Sequence, residues 1–481
     1  MLPMESLSRR MLAALLMACL GTMCLYYFSA NRDTYSDPFC SLIVSQSILE
    51  NSTIKLDSYS NMLPGDKCAH EVRGHRYDFF PPGTALLSTP FIYMANSLGF
   101  DMLSIKDNSL WQMILTMLIS PAILLLLFFT GRFSVSGRSS FIISVIFFWG
   151  SPLTSSLGTA LWSHSFSILF ISASIYLLSR LENAQSRPAQ HYLLGSFLFT
   201  AFFCRPTASL FIISVFLYLA LRHRRALTRA ALVSSLMMML FIWFSWAEYG
   251  MLLPPYYLHR MGADNPFLKT LFCQVLSPSR GLFVFSPFLL IVLAGVFAYS
   301  RKLIREPLFL AMALWSLAHL VSTVLVPEWY GGDSFGPRLQ VDALPAWAVM
   351  SFILWRRISS HSSPYRLQVA YTAFMALGFL GILINSYSGL FNTMTRSWST
   401  SSYLDPSEGY AARPYDIFMD WRFPQFLATP DQFRRIETQY YEEIFGKGNV
   451  EVTIRMQKVL SPLTSRVKEI PLTDIALSPR E

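Results

Sequence analysis

Charge is what this sequence has least of. Only 14% of its 481 residues are Asp, Glu, Lys or Arg, where an ordinary soluble domain carries about 25%. A soluble chain of this length needs a large polar surface, and this one cannot supply it. That excludes a cytosolic enzyme, and 53% apolar residues exclude a disordered protein. Cysteine is also sparse. The six at 19, 24, 40, 68, 204 and 273 form no CxxC and no metal spacing, so neither a disulfide scaffold nor a zinc module fits. No histidine cluster and no DxD motif argues for a bound metal, and no cofactor is expected. Internal repeats and low-complexity stretches are missing too. What abounds is apolar: Phe occurs 39 times and mean hydropathy is +0.40. The class that remains is an all-α polytopic membrane protein.

A spanning helix needs about 20 mostly apolar residues. Such runs fall near 11–30, 110–130, 139–157, 162–180, 191–204, 207–221, 228–248, 281–300, 307–326, 339–355 and 367–388, which is eleven. We read the first as an uncleaved helix, although Arg9-Arg10 and Leu16-Met17-Ala18-Cys19 resemble a leader. The net charge of +9 would suit a nucleic-acid partner, but its placement points elsewhere. With the N-terminus in the cytoplasm, the inner segments carry 16 cations, from Arg9 to Arg366, against Glu5, Glu182 and Glu306. The first outer loop, 31–109, carries six cations and nine acids. This is the positive-inside pattern, so no nucleic acid is expected. Two domains follow: a membrane domain, 1–388, and an extracytoplasmic tail, 389–481. Within the loop, 83–99 is apolar but short, with Pro90 in its middle, and reads as a helix lying at the interface. Ser36-Asp37-Pro38 reads as the cap and start of a second interfacial helix, 38–50. Cys40 and Cys68 share this loop and are candidates to pair.

The unusual residues collect on the outer side. They include Asp33 and Asp37, then Tyr77-Asp78-Phe79-Phe80-Pro81-Pro82-Gly83, and Leu161-Trp162-Ser163-His164. Further along come Arg205-Pro206-Thr207, Ser277-Pro278-Ser279-Arg280-Gly281 and Glu328-Trp329-Tyr330-Gly331-Gly332-Asp333-Ser334-Phe335-Gly336-Pro337-Arg338. Asp37 reads equally as a helix cap or as a carboxylate able to take a proton. Arg205, Arg280 and Arg338 at helix ends either reach towards headgroups or hold a phosphate, for which the guanidinium fork is suited. His164 lies just inside a helix start. Asp342, four residues after Arg338, is its expected ion-pair partner. The glycine-rich stretch allows tight turns but is not a P-loop, since no GK[ST] follows. Trp329 and Tyr330 read as membrane-belt aromatics or as a sugar-stacking platform.

Taken in order, these motifs and the tail phrase Asp420-Trp421-Arg422-Phe423-Pro424-Gln425-Phe426-Leu427 resemble the GT-C integral-membrane glycosyltransferases. The likeness is to the bacterial branch related to protein O-mannosyltransferases and lipid A aminoarabinose transferases. It implies transfer of a sugar from a polyprenyl-phosphate carrier to an acceptor at the outer face of the inner membrane. It implies an aspartate base in the first outer loop, carried here to Asp37 with Asp33 as second choice. It also implies that Tyr77, Asp78, Pro81, Pro82, Trp329, Tyr330 and Asp333 line the substrate, and that the chain's partners are a lipid-linked donor, membrane lipids and an acceptor. The competing expectation is a transporter of a lipid-linked sugar, which would need broken, charged helices at the membrane midplane.

Overall fold

A computed structural model describes residues 8–32, 37–59, 68, 70–258, 265–332, 334–398, 415 and 418–432. Asp33 and Asp333 lie outside the described residues.

The chain is mostly helical. In order the helices are α1 (Arg9–Tyr27), α2 (Asp37–Asn51), α3 (Gly83–Ser97), α4 (Ile105–Gly131), α5 (Gly137–Trp149), α6 (Pro152–Leu157), α7 (Ser163–Glu182) and α8 (Pro188–Cys204). They continue as α9 (Ala208–Arg222), α10 (Arg224–Tyr249), α11 (Pro255–Leu258), α12 (Phe267–Leu276), α13 (Leu282–Phe285) and α14 (Leu289–Leu303). The last are α15 (Pro307–Val324), α16 (Leu344–His361), α17 (Pro364–Ile382), α18 (Gly389–Phe391) and α19 (Met394–Trp398). Each of the eleven apolar runs falls on helix. Among the described residues, six helices are long and apolar enough to cross a membrane: α1, α4, α7, α10, α15 and the continuous Pro364–Phe391. Other runs are broken where sequence chemistry breaks them. The run 139–157 divides at Gly150-Ser151-Pro152, and 281–300 divides at Ser286-Pro287. Proline fits the first turn of a helix but not its interior.

Apolar side chains gain little by leaving lipid for one another, so close packing must hold such a bundle together. Gly195 on α8 lies so near the Ala230 carbonyl of α10 that a Cβ there would collide with it. A turn of π-helix, Leu383–Ser388, ends α17. Its Asn385 is fully buried and donates to the carbonyls of Gly150 (3.2 Å), Phe285 (2.6 Å) and Gly381 (2.9 Å). One amide thereby joins three parts of the chain.

The first loop is a packed layer rather than a surface strip. Helix α2 starts at Asp37, one residue before the expected 38, a difference within the usual spread of helix ends. Every residue from Asp37 to Ser47 is buried. Its stretch from Pro38 to Leu49 carries no charge, so no face is suited to water. A hairpin, β1 (His70–Val72) with β2 (His75–Tyr77), follows, with His70 opposite Tyr77. Its turn residues Arg73 and Gly74 both have positive φ, at 54° and 76°, as a two-residue hairpin turn requires. Helix α3 buries Ala85, Ser88, Ile92 and Ala95, and exposes Tyr93 and Met94 on its other side.

Cys40 and Cys68 are joined, with Cα atoms 5.4 Å apart and a sequence separation of 28. Closing a loop of that length stabilises a fold by about 3–4 kcal/mol in the chain-entropy account. Cys68→Ser should therefore lower the thermal midpoint, and adding reductant to that variant should lower it no further. A reductant effect equal to that on the native protein would show that the bond contributes nothing.

Candidate active site

Three chain segments meet at one end of the bundle: the start of α7, the end of α8, and a 3-10 turn, Arg338–Ala343, that leads into α16. Asp342 joins them. It is 2% exposed. Its Oδ1 lies 2.7 Å from His164 Nδ1, and its Oδ2 accepts from Arg205 Nε at 2.6 Å and from the Thr207 hydroxyl at 3.3 Å. Arg205 Nη1 donates to Ser163 Oγ at 3.3 Å. A buried charge must be paired and hydrogen-bonded to be tolerated, and this carboxylate is. Facing a carboxylate, His164 Nδ1 carries the proton, which leaves Nε2 as the ring's accepting nitrogen.

The sequence Arg205-Pro206-Thr207 explains its own geometry. The residue before proline avoids the helical region. Arg205 accordingly caps α8 in an extended conformation, φ −155° and ψ 115°. The guanidinium then turns to Asp342, and Thr207 follows onto the same oxygen.

Arg338 does not take Asp342 as its partner, contrary to the i,i+4 expectation. The segment is 3-10, with 3.0 residues per turn, so position i+4 lies about a third of a turn away from i. Its guanidinium instead lies 4.2 Å from the centroid of the Trp162 ring and donates from Nη2 to the Gly331 carbonyl at 2.6 Å. It remains within electrostatic reach of His164. Gly331, Gly332 and Gly336 have φ of 79°, 67° and 65°, the left-handed region that the glycine-rich stretch anticipated.

Asp37 arrives from the other side, in the first turn of α2, 7% exposed. It lies within electrostatic reach of Arg205 and of Asp78. Asp78 accepts a hydrogen bond from the Phe80 amide at 3.2 Å. Burial, and then the Asp37 charge, hold its carboxyl well above the usual carboxylate range. The next residues, Pro81-Pro82-Gly83, bring the loop onto the end of α8. A Cβ at Gly83 would lie 2.6 Å from the Phe203 carbonyl and 2.7 Å from the Cys204 Cα. Only glycine permits that approach beside Arg205. Tyr256 completes this wall, its ring 5.4 Å from that of Phe79 and 5.9 Å from that of Phe80.

The raised Asp78 carboxyl has a consequence for stability. A carboxyl whose folded pKa exceeds its unfolded one stabilises the fold at low pH and loses that contribution as pH rises through the folded value. Asp78→Asn should therefore raise the thermal midpoint, more at pH 8 than at pH 5. An equal shift at both values would mean that Asp78 is ionised in the folded protein.

Other expected site residues are used elsewhere. Arg280 is 2% exposed. Its Nε donates to the Tyr330 carbonyl at 2.7 Å, and Nη1 donates to Ser279 O at 2.8 Å and Gln425 Oε1 at 2.7 Å. That guanidinium braces the glycine-rich stretch instead of presenting itself to a phosphate. Trp329 and Tyr330 are neither belt nor platform, because both are buried. Trp329 stacks on Tyr415 at 5.1 Å and Tyr330 on Phe418 at 5.1 Å. Tyr77 is buried against Tyr249, its hydroxyl donating to the Glu248 carbonyl at 3.2 Å. Gln425 carried no signal of its own within the tail phrase. It accepts from the Gly336 amide (3.0 Å) and donates to Ser334 O (3.0 Å), so this part of the tail fixes the glycine turns. Asp33 and Asp333 fall outside the described residues.

No protein-family model matches the sequence, and no curated protein matches it. Solved structures do resemble its fold. The oligosaccharyltransferase of Archaeoglobus fulgidus, tethered to an acceptor peptide, superposes with a TM-score of 0.52 at 12% identity, covering 85% of this chain and 59% of that one. The chain thus spans about six-tenths of the archaeal enzyme's length. ArnT from Cupriavidus metallidurans superposes at 0.51 in the apo state, with 10% identity and 89% and 77% of the two chains covered. Bound to undecaprenyl phosphate, ArnT superposes at 0.50, with 11% identity and 97% and 81% covered. These neighbours are GT-C membrane glycosyltransferases, and the fold of this chain is theirs.

Proposed function

We propose that this protein is a membrane glycosyltransferase. In this reading it moves a sugar from a polyprenyl-phosphate carrier to an acceptor hydroxyl at the outer face of the inner membrane, with inversion. One observation carries the proposal. Asp37 and Arg338 are 301 residues apart in sequence, yet a single charged group, Asp37–Arg205–Asp342–His164–Arg338, connects them in a GT-C fold. That ArnT is a neighbour with undecaprenyl phosphate bound supports a lipid-phosphate donor.

The chemistry follows from the groups present. A lipid phosphate is already a good leaving group and needs its developing charge stabilised more than it needs an acid. Arg338, half-buried and over the Trp162 ring, is the guanidinium best placed to receive it, with Arg205 and His164 behind. Asp37, ionised, takes the proton from the acceptor hydroxyl and directs in-line attack on the anomeric carbon. Asp78, protonated, stays neutral beside it and can donate to the acceptor or hold it. In this arrangement the tail lies outside and the exposed apolar side of α3 lies against the lipid. No observation favours the transporter reading, since the charged group stands at a helix-end layer rather than at the middle of a span.

Undecaprenyl phosphate binding to the purified protein tests the donor half. Arg338→Ala should weaken it about tenfold or more, from loss of a charge-assisted bond. Arg338→Lys should recover only part, because a point charge does not replace a fork. Unchanged binding in both variants would remove Arg338 from the donor site.

A further inference from the structure

Helix α15 is long and apolar enough to cross a membrane, yet it carries a histidine. Ionisable side chains within such helices are costly and mark a task. His319 is fully buried. It stands four residues before Thr323, so the two share one face of α15. Both meet the 3-10 turn Arg338–Ala343. His319 Nε2 lies 2.8 Å from the Leu339 carbonyl oxygen. A carbonyl only accepts, so Nε2 carries the proton and donates.

The next residue of the turn is held as well. Gln340 Nε2 donates to Gln274 Oε1 on α12 and to Thr323 Oγ1, each at 2.7 Å. The Thr323 hydroxyl donates to Gln274 Oε1 at 2.8 Å, and Gln274 Nε2 donates to the Trp329 carbonyl at 3.2 Å. All these side chains are buried. Residues 339 and 340 are thus gripped by α12 and α15. Their neighbours Arg338 and Asp342 are engaged by Trp162, Gly331, His164 and Arg205. His319 also lies within electrostatic reach of Asp342.

Stability alone does not account for a histidine here. With Nε2 protonated, Nδ1 is an acceptor, and it has no hydrogen-bond partner among the described residues. An unmet buried polar atom costs at least as much as one hydrogen bond gains, so leucine would serve the packing as well. What leucine cannot supply is the N–H on the Leu339 carbonyl.

We propose that His319 is a positioning residue of the donor phosphate site, acting through the turn that carries Arg338. This rests on the donor reading given above. The N–H on Leu339 fixes the turn in its 3-10 form, which keeps Arg338 over Trp162 and leaves Asp342 to His164 and Arg205. Without it the turn is free to wind as α-helix, in which Arg338 reaches Asp342 at i+4. The phosphate then loses its guanidinium.

The test measures undecaprenyl phosphate binding by the purified full chain. His319→Leu should weaken it at least about fivefold, a coupling of the size that direct neighbours show. His319→Gln should restore most of the loss, because its side-chain N–H reaches the same carbonyl. In an Arg338→Ala background, His319→Leu should weaken binding by less than about twofold further, since both changes remove the same contact. Native affinity in His319→Leu overturns the inference. Equal fold losses in the two backgrounds, a glutamine that rescues nothing, or a leucine variant that fails to fold would each make His319 merely structural and overturn it too. If the native protein binds no undecaprenyl phosphate, the donor reading falls and takes this inference with it. If Arg338→Ala weakens binding and His319→Leu does not, the donor reading stands and this inference alone falls.

Discussion

Replacing Asp37 with Asn should abolish sugar transfer and leave the protein folded. Asn starts and caps helices about as well as Asp, so α2 keeps its first turn. What is lost is the proton acceptor. A placed base contributes ~10²–10⁴-fold, so transfer should fall by at least about 100-fold. The variant carries a second signature. The Asp37 charge helps hold the Asp78 carboxyl up, so removing it should move the Asp78 titration down towards the ordinary range. A merely capping Asp37 would give the titration shift without the rate loss. Transfer kept in Asp37→Asn but lost in Asp33→Asn would place the base four residues earlier in the same loop.

Asp342→Asn should be the most destabilising single change at this end of the bundle. Asp342 is the shared partner of Arg205 and His164, and Arg205 is 7% exposed. Breaking a buried ion pair from one side typically costs about 3–5 kcal/mol, because the other charge stays buried and unpaired. Donor binding should fall with it, since Arg205 and His164 lose the group that orients them. Adding Arg205→Gln should then recover part of the lost stability, a non-additivity that direct neighbours show. Strictly additive losses would mean that the two residues do not act on each other.

Much of this was legible in the sequence, and for physical reasons. Each of the six long apolar helices falls on one of the apolar runs, because length and hydropathy are what lipid demands. Proline and glycine marked the breaks at Pro206 and Gly331–Gly336, because backbone geometry depends little on distant context, whereas the break at Pro152 falls inside a run read as one span. What was illegible depended on neighbours far along the chain. Arg280, Arg338 and Arg205 look alike in sequence, each a lone arginine at a helix end. Only packing shows that Arg280 is taken up by carbonyls and Gln425 while Arg205 and Arg338 join His164. Asp342 was assigned to the wrong arginine because the segment was read as α-helix and folds as 3-10. Trp329 and Tyr330 were read as surface aromatics because the tail residues that bury them, Tyr415 and Phe418, lie more than 80 positions away.

The central claim is transfer of a carrier-linked sugar that depends on Asp37. Mass spectrometry of cell-envelope glycans and glycolipids tests it most directly, in cells with the gene, without it, and with Asp37→Asn. One sugar-modified species should be present only with the native gene, and the sugar-loaded polyprenyl phosphate should accumulate in the other two strains. Identical envelopes in all three strains, or full modification with Asp37→Asn, would contradict the claim.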